Sequence, residues 1–121
     1  AEFQHWLLQL LERPVVEDPV FGVALGFVGY LNPGSVLEAL QDRFASLEGE
    51  VAGLDAALQA MLRSLPRLVL LPHEYRRALR QAERDWVQKL IEDIRSSKLS
   101  WDLEALVRHF AAIREGGRQM P

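Results

Sequence analysis

The chain has 121 residues, a formal net charge of −3 at pH 7 and no cysteine. The length fits one domain, and the lack of thiols excludes disulfides, cysteine nucleophiles and thiolate metal sites. The acidic balance argues against nucleic-acid binding by this chain alone, because phosphate contacts need a basic face. No apolar run reaches the roughly 18 residues needed to span a bilayer, so we expect a cytoplasmic protein with no membrane partner.

The first predicted element is a short amphipathic helix over residues 2–12. Phe3, Trp6 and Leu10 share one face of it, at the spacing that is typical of a helix with one buried side. The chain opens on Ala1 rather than methionine, which indicates a processed start or a fragment of a longer protein.

A second helix is predicted over residues 18–31. Asp18 followed by Pro19 is a typical helix start, with a capping side chain and then a proline at the first helical position. The segment from Val20 to Leu31 contains no charged side chain. A helix that is apolar all round must be covered all round, so we expect the core, a partner or a ligand to enclose it.

The longest predicted helix covers residues 33–65, capped by Asn32 and stopped by Pro66. It would be roughly 48 Å long, whereas a compact chain of this length has a diameter of about 35 Å. We therefore expect an oligomer, most simply a homodimer. Apolar residues recur along it at intervals of three and four, as in a coiled coil. This seam, whose partner could be the neighbouring helix or a second subunit, consists of Leu37, Leu40, Phe44, Leu47, Val51, Leu54, Leu58 and Met61.

A flank of the same helix carries a small residue at every seventh position, so another helix could approach closely there. These small residues are Ala39, Ser46, Gly53 and Ala60. The charges on the helix are mostly acidic, which disfavours packing two copies with those flanks together. They belong to Glu38, Asp42, Glu48, Glu50 and Asp55.

The remaining sequence predicts an extended linker between Pro66 and Pro72, a helix over 72–95 and a last helix over 100–115. The last helix would be capped by Ser100 and ended by Gly116 and Gly117. No strand is predicted. The fold class is all-α, with about five helices and the long central helix in an antiparallel helical hairpin that forms a helical dimer. The apolar stripe of the helix over 72–95 consists of Tyr75, Leu79, Ala82, Trp86, Leu90 and Ile94, and Val87 and Ile91 widen it.

Catalytic residue patterns are sparse, and we predict neither an enzyme nor a cofactor. His5, His73 and His109 each lack a second histidine at metal-ligand spacing, so no metal site is predicted. The one basic cluster is interleaved with acidic residues, which favours a solvated or salt-bridged face over a phosphate site. It consists of Arg76, Arg77, Arg80 and Arg84.

Aromatic side chains on the first, second and fourth helices have two interpretations. They fill a core, because such rings bury large areas, or they line a small-molecule pocket, because the glycines at 22, 26 and 29 leave room beside them. The six candidates are Trp6, Phe21, Phe27, Tyr30, Tyr75 and Trp86.

The order of these elements resembles the C-terminal domain of PadR-family transcriptional regulators over roughly residues 1–95. The resemblance begins with Glu2-Phe3-x-x-Trp6-Leu7 and continues with Leu31-x-Pro33 before the long helix. On that helix it rests on Leu37, Leu40, Arg43, Leu47 and Leu54. It ends with Tyr75-x-x-Ala78-x-x-x-x-Glu83-x-x-Trp86.

The resemblance implies a domain that dimerises and, in some members, senses a small aromatic effector such as a phenolic acid. DNA would be bound only through an N-terminal winged-helix domain, which is absent from this sequence. The helix over 100–115 lies beyond the usual family domain and could cap the dimer, replace a lost contact or cover a pocket. A free-standing helical adaptor, whose seam receives a helix of another protein, is the alternative function.

Overall fold

The computed structural model describes residues 1–14 and 20–119, except for the side chains of 117–119. The described residues form helices and turns without a strand, which confirms the all-α prediction. The helices are α1 (Glu2–Glu12), α2 (Val20–Leu25), a 3₁₀ turn (Val28–Tyr30), α3 (Pro33–Leu62), α4 (Arg67–Arg95) and α5 (Leu103–Gln119).

Helix α3 begins where the sequence predicts. The side chain of Asn32 accepts a hydrogen bond from the amide of Gly34 at 2.8 Å, and Pro33 occupies the first helical position. An asparagine cap satisfies one of the amides that the first turn leaves without an intrahelical partner. With 30 residues, α3 is about 45 Å long.

Helices α3 and α4 pack side by side in an antiparallel hairpin. Arg43 is paired with Glu83, whereas Asp55 is paired with Arg77. The residue number of the α4 partner therefore decreases as the residue number on α3 increases, as it must for antiparallel helices. The seam of α3 is therefore covered by the neighbouring helix of the same chain. The most deeply buried seam residues are Leu40, Leu47, Val51 and Leu58. Val36, which lies outside the predicted seam, is buried as well.

The buried side of α4 is centred on Val87 and Ile91, the two residues predicted to widen the apolar stripe, rather than on the stripe itself. Val87, Ile91 and Leu70 are at most 6% exposed, whereas the predicted stripe residues Tyr75 and Leu79 are 67% and 52% exposed. Apolar packing favours this side, because Val87 and Ile91 join Val36, Leu40 and Leu47 of α3 in one buried cluster. In this orientation Arg77, Arg80 and Arg84 also meet acidic residues of α3.

The prediction of an extended linker between Pro66 and Pro72 is wrong, because α4 already begins at Arg67. Pro66 lies at the cap, where its missing amide hydrogen costs nothing. Leu70 is 1% exposed, and burying a leucine stabilises by roughly 1.5–3 kcal/mol. That burial favours helical backbone here although Pro72 lies inside the helix.

Other helix boundaries also differ from the predictions, and α3 ends at Leu62 rather than at residue 65. The segment predicted as one helix over 18–31 ends at Leu25 and resumes as the 3₁₀ turn, because Gly26 and Gly29 weaken a continuous helix. Asp18 and Pro19 lie outside the described residues. The last helix starts at Leu103, where Asp102 rather than Ser100 caps the amide of Ala105 at 3.0 Å. It continues past Gly116 and Gly117 to Gln119.

Replacing Pro72 with alanine should stabilise the fold. Alanine would supply the amide hydrogen that the carbonyl of Leu68 lacks in α4, so the free energy of unfolding should rise by about 1–3 kcal/mol. Urea unfolding followed by circular dichroism measures this change.

The matched control is Pro66→Ala, which alters a proline at the cap, where no helical hydrogen bond is lost. We expect no comparable gain from it. Equal effects of the two substitutions, or a loss of stability in Pro72→Ala, would favour the extended linker.

Candidate functional site

Ion pairs line both flanks of the hairpin. On one flank the side chains of Glu48 and Asp55 pair with Arg84 and Arg77. Residues seven apart share a helix face, so these two pairs follow one edge of the seam. The salt-bridged face predicted for the basic cluster is confirmed for the three arginines Arg77, Arg80 and Arg84.

The opposite flank carries two further pairs, one with its arginine on α3 and one with its arginine on α4. Arg43 of α3 forms two hydrogen bonds with the Glu83 carboxylate, at 3.1 and 3.2 Å. Seven residues later, the carboxylate of Glu50 is 3.0 Å from the Nε of Arg80. Because each pair is partly exposed, it contributes little to stability by itself. The two pairs on this flank select one register, since sliding the helices by one heptad would bring Glu50 towards Glu83 or Arg43 towards Arg80.

Hydrogen bonding across the hairpin also shifts two pKa values. The bond from Arg77 lowers the pKa of Asp55, and the same bond raises the pKa of Arg77. Both side chains remain well exposed. The pair is therefore a sensitive reporter of the α3–α4 register.

The six aromatic residues predicted to line a pocket lie in four separate parts of the structure. Phe21 contacts Trp86 edge to face, with ring centres 6.4 Å apart. Phe27 and Tyr30 lie side by side in the 3₁₀ region, at 6.4 Å. Trp6 contacts Phe3 of its own helix, at 6.0 Å, and Tyr75 is 67% exposed.

A groove of about 300 Å³ lies between α2, the 3₁₀ turn and the first half of α3. Its wall is apolar except at the rim, where the guanidinium of Arg43 lies 3.6 Å from the centre of the Phe21 ring. Of the six predicted aromatics, Phe21 lines this groove. Residues outside that set of six also line the groove, among them Leu25, Val28, Ser35, Val36, Ala39 and Arg43.

The aromatic side chains do not predict this groove, because of the six candidates Phe21 alone lines it. The signal lies in Ser35 and Ala39, two small residues one helical turn apart on α3. Small side chains at that spacing leave a depression on the helix surface, which larger residues of α2 border without filling.

Helix α5 packs over the 3₁₀ turn beside this groove. The indole of Trp101 donates a hydrogen bond to the carbonyl of Leu31 at 3.0 Å. The ring of Phe110 stacks on Phe27 with centres 5.8 Å apart and planes 7° apart. At Gly29 an added Cβ would lie 2.5 Å from a methyl group of Leu106, so the Leu106 side chain would have to shift to accept a larger residue there.

The described residues contain no group of three or more histidine, aspartate or glutamate side chains arranged to hold a metal ion. None of the described helices is long and apolar enough to cross a membrane. His73 lies half-buried in α4 and its Nδ1 atom has no hydrogen-bond partner. Comparison with protein-family models, curated proteins and solved structures gave no match to this chain.

Replacing Arg77 with glutamine should raise the pKa of Asp55 towards its ordinary value near 3.8, because the charged donor is lost. The lowered pKa means that this pair stabilises the fold above the unfolded-state pKa and that the contribution disappears as the pH falls through the folded-state value. Carboxyl chemical shifts, followed through a pH titration by NMR, measure the pKa directly.

Arg76→Gln is the control, since Arg76 is the neighbouring arginine and Asp55 is paired with Arg77. It should leave the Asp55 titration unchanged. If both variants shifted the titration equally, the register described by the ion pairs would be wrong.

Proposed function

We propose that this chain is the dimerisation and effector-sensing domain of a PadR-like transcriptional regulator. The observation that carries the proposal is the amount of apolar surface that the chain leaves uncovered. Among the described residues, eight hydrophobic side chains are buried but 23 large ones are exposed. A chain that buries so few of its large apolar residues needs a partner to cover them.

The accessible surface supports the same proposal. It measures 9910 Å², whereas a compact monomer of this mass exposes about 6,600 Å². The excess is about 3,300 Å², and a standard interface covers about 800 Å² on each partner. The surface is large enough for an obligate dimer interface.

Helix α1 contributes much of this surface. None of its residues is buried, and Phe3, Leu8 and Leu11 are between 62% and 77% exposed. Helices of fewer than about 12 residues are marginal in water unless their apolar face is covered. The α1 face therefore favours an assembly larger than the single chain. Phe3 and Trp6 are also among the residues that carry the PadR resemblance.

Dimerisation would give such a domain its regulatory function. Two winged-helix heads held at a fixed distance read half-sites whose spacing matches the two-fold symmetry of the protein. An effector that binds one relative orientation of the subunits more tightly shifts the population towards it. These heads lie outside the chain described here.

The groove beside α2 is the best candidate for the effector site. Its volume of about 300 Å³ is at the lower limit for small-molecule pockets. The apolar wall suits an aromatic ring. The Arg43 guanidinium at the rim binds Glu83 through Nε and Nη2, which leaves its Nη1 group to donate to an effector carboxylate. A small aromatic acid fits both features.

The dimer is tested by sedimentation velocity of the native chain at micromolar concentration. The proposal predicts a species of twice the 13.8 kDa chain mass. The proposal would be contradicted by a single species of one chain mass at every concentration up to about 100 µM. That result would favour the helical adaptor. A Kd at that concentration limit corresponds to a binding free energy of about −5.5 kcal/mol.

The effector site is tested by replacing Ala39 with leucine. The larger side chain would fill the groove and abolish binding of a phenolic acid, measured by quenching of tryptophan fluorescence, because Trp86 contacts the groove residue Phe21. Ala52→Leu, on the other flank of α3, is the matched control and should bind as the native chain does. Unchanged binding in Ala39→Leu would contradict the assignment of the groove.

A further inference from the structure

We infer that Glu83 determines the charge of the ligand that the groove beside α2 accepts. It acts through Arg43, whose guanidinium it pairs, and it limits the groove to ligands with a single negative charge. This role deepens the proposed effector site and depends on it. It makes Glu83 a specificity-determining residue, although Glu83 lies outside the groove.

Arg43 brings the positive charge to the groove. The other described residues that line it are apolar or small, as are Leu25 on α2 and Ser35 and Ala39 on α3. A guanidinium has five N–H donors in a planar fork and remains charged in proteins. By itself, such a group would attract a dianion more strongly than a monoanion.

Glu83 pairs with that guanidinium from a different helix. Its carboxylate accepts hydrogen bonds from Nε and Nη2 of Arg43, at 3.1 and 3.2 Å. Glu83 lies on α4, whereas the described residues that line the groove all lie between Phe21 and Arg43. The groove therefore contains the arginine of the ion pair, and its counter-ion is supplied from behind.

Two contacts determine which part of the guanidinium a ligand can reach. Glu83 occupies one edge, and the ring of Phe21 lies against one face, with its centre 3.6 Å from Cζ of Arg43. A cation over an aromatic ring is attracted to it, so Phe21 holds the guanidinium in place independently of Glu83. The Nη1 group has no acceptor among the described residues, and it is left for the ligand.

The Glu83 carboxylate is close enough to repel a bound anion. Two carboxylates on different edges of one guanidinium have their centres about 7 Å apart, which is within the Debye length of physiological salt. The first negative charge of a ligand gains more from Arg43 than it loses to Glu83, because Arg43 is nearer. For a second charge, farther out, attraction and repulsion nearly cancel while dehydration still costs free energy. The native groove therefore favours a monoanion.

Replacing Glu83 with glutamine tests this role, because glutamine keeps an acceptor oxygen for Arg43 and removes the charge. Benzoate should bind about three- to tenfold more tightly, which is the size of a partly screened repulsion across about 7 Å. Benzamide has nearly the same shape and no charge, so its affinity should change by less than about twofold. NMR chemical-shift titrations at neutral pH measure both dissociation constants. A merely structural effect of the substitution would change both affinities alike.

Isophthalate supplies the second negative charge. The native chain should bind it more weakly than benzoate. Its gain in affinity from Glu83→Gln should be roughly the square of the benzoate gain, because each of its two charges is relieved of a repulsion.

Glu48→Gln is the matched control. Glu48 is also paired with an arginine of α4, Arg84, but it lines the groove on the other flank of α3. The substitution removes the same charge and should leave the affinities for benzoate and isophthalate unchanged.

The outcomes separate the two proposals. If Ala39→Leu abolishes benzoate binding but Glu83→Gln affects benzoate and benzamide alike, the effector site stands and the role of Glu83 is overturned. Equal effects of Glu83→Gln and Glu48→Gln would overturn that role too, as would native binding of isophthalate as tight as that of benzoate or no binding of isophthalate by Glu83→Gln. If the native chain binds neither benzoate nor benzamide, the effector site and the role of Glu83 both fail.

Discussion

The packing of α3 against α4 is the contact on which the rest of the fold depends. Val36, Leu40 and Leu47 meet Val87 and Ile91 in one apolar cluster, and Val87 is fully buried. Apolar burial provides the stability of this contact, but it is not directional and would tolerate several registers. The partly exposed ion pairs on both flanks add little stability and select one register among them.

The smaller elements take their positions from this hairpin. Helix α2 is placed by Phe21, which packs between Arg43 of α3 and Trp86 of α4. Helix α5 is placed in turn by the 3₁₀ turn, through Trp101 and Phe110. The groove beside α2 exists because this arrangement leaves small α3 residues facing larger α2 residues. A change in the hairpin register would therefore alter the groove, and this connection is what an effector-sensing domain needs.

The sequence predicts the helices better than it predicts which of their faces are buried. The Asn32 cap and the three-four spacing of the seam are local features, and they locate α3 almost to the residue. Two rows of α4 are apolar enough for burial, and local spacing does not distinguish them. Burial of Val87 and Ile91 in one cluster with α3 residues decides between them, and those residues lie 40 or more positions earlier in the chain. The same reason explains the helical segment around Leu70, since its burial depends on a contact made by another helix.

The central claim is that the seam of α3 is closed within each chain, so that the proposed dimer uses a different surface. Hydroxyl-radical footprinting at protein concentrations below and above the dimer dissociation constant tests this most directly. Leu47 and Val51 should be protected at both concentrations, whereas exposed apolar residues of α1 such as Phe3 and Leu11 should become protected only in the dimer. If Leu47 and Val51 gained protection only at the higher concentration, the seam would be an interface between chains and the account would be contradicted.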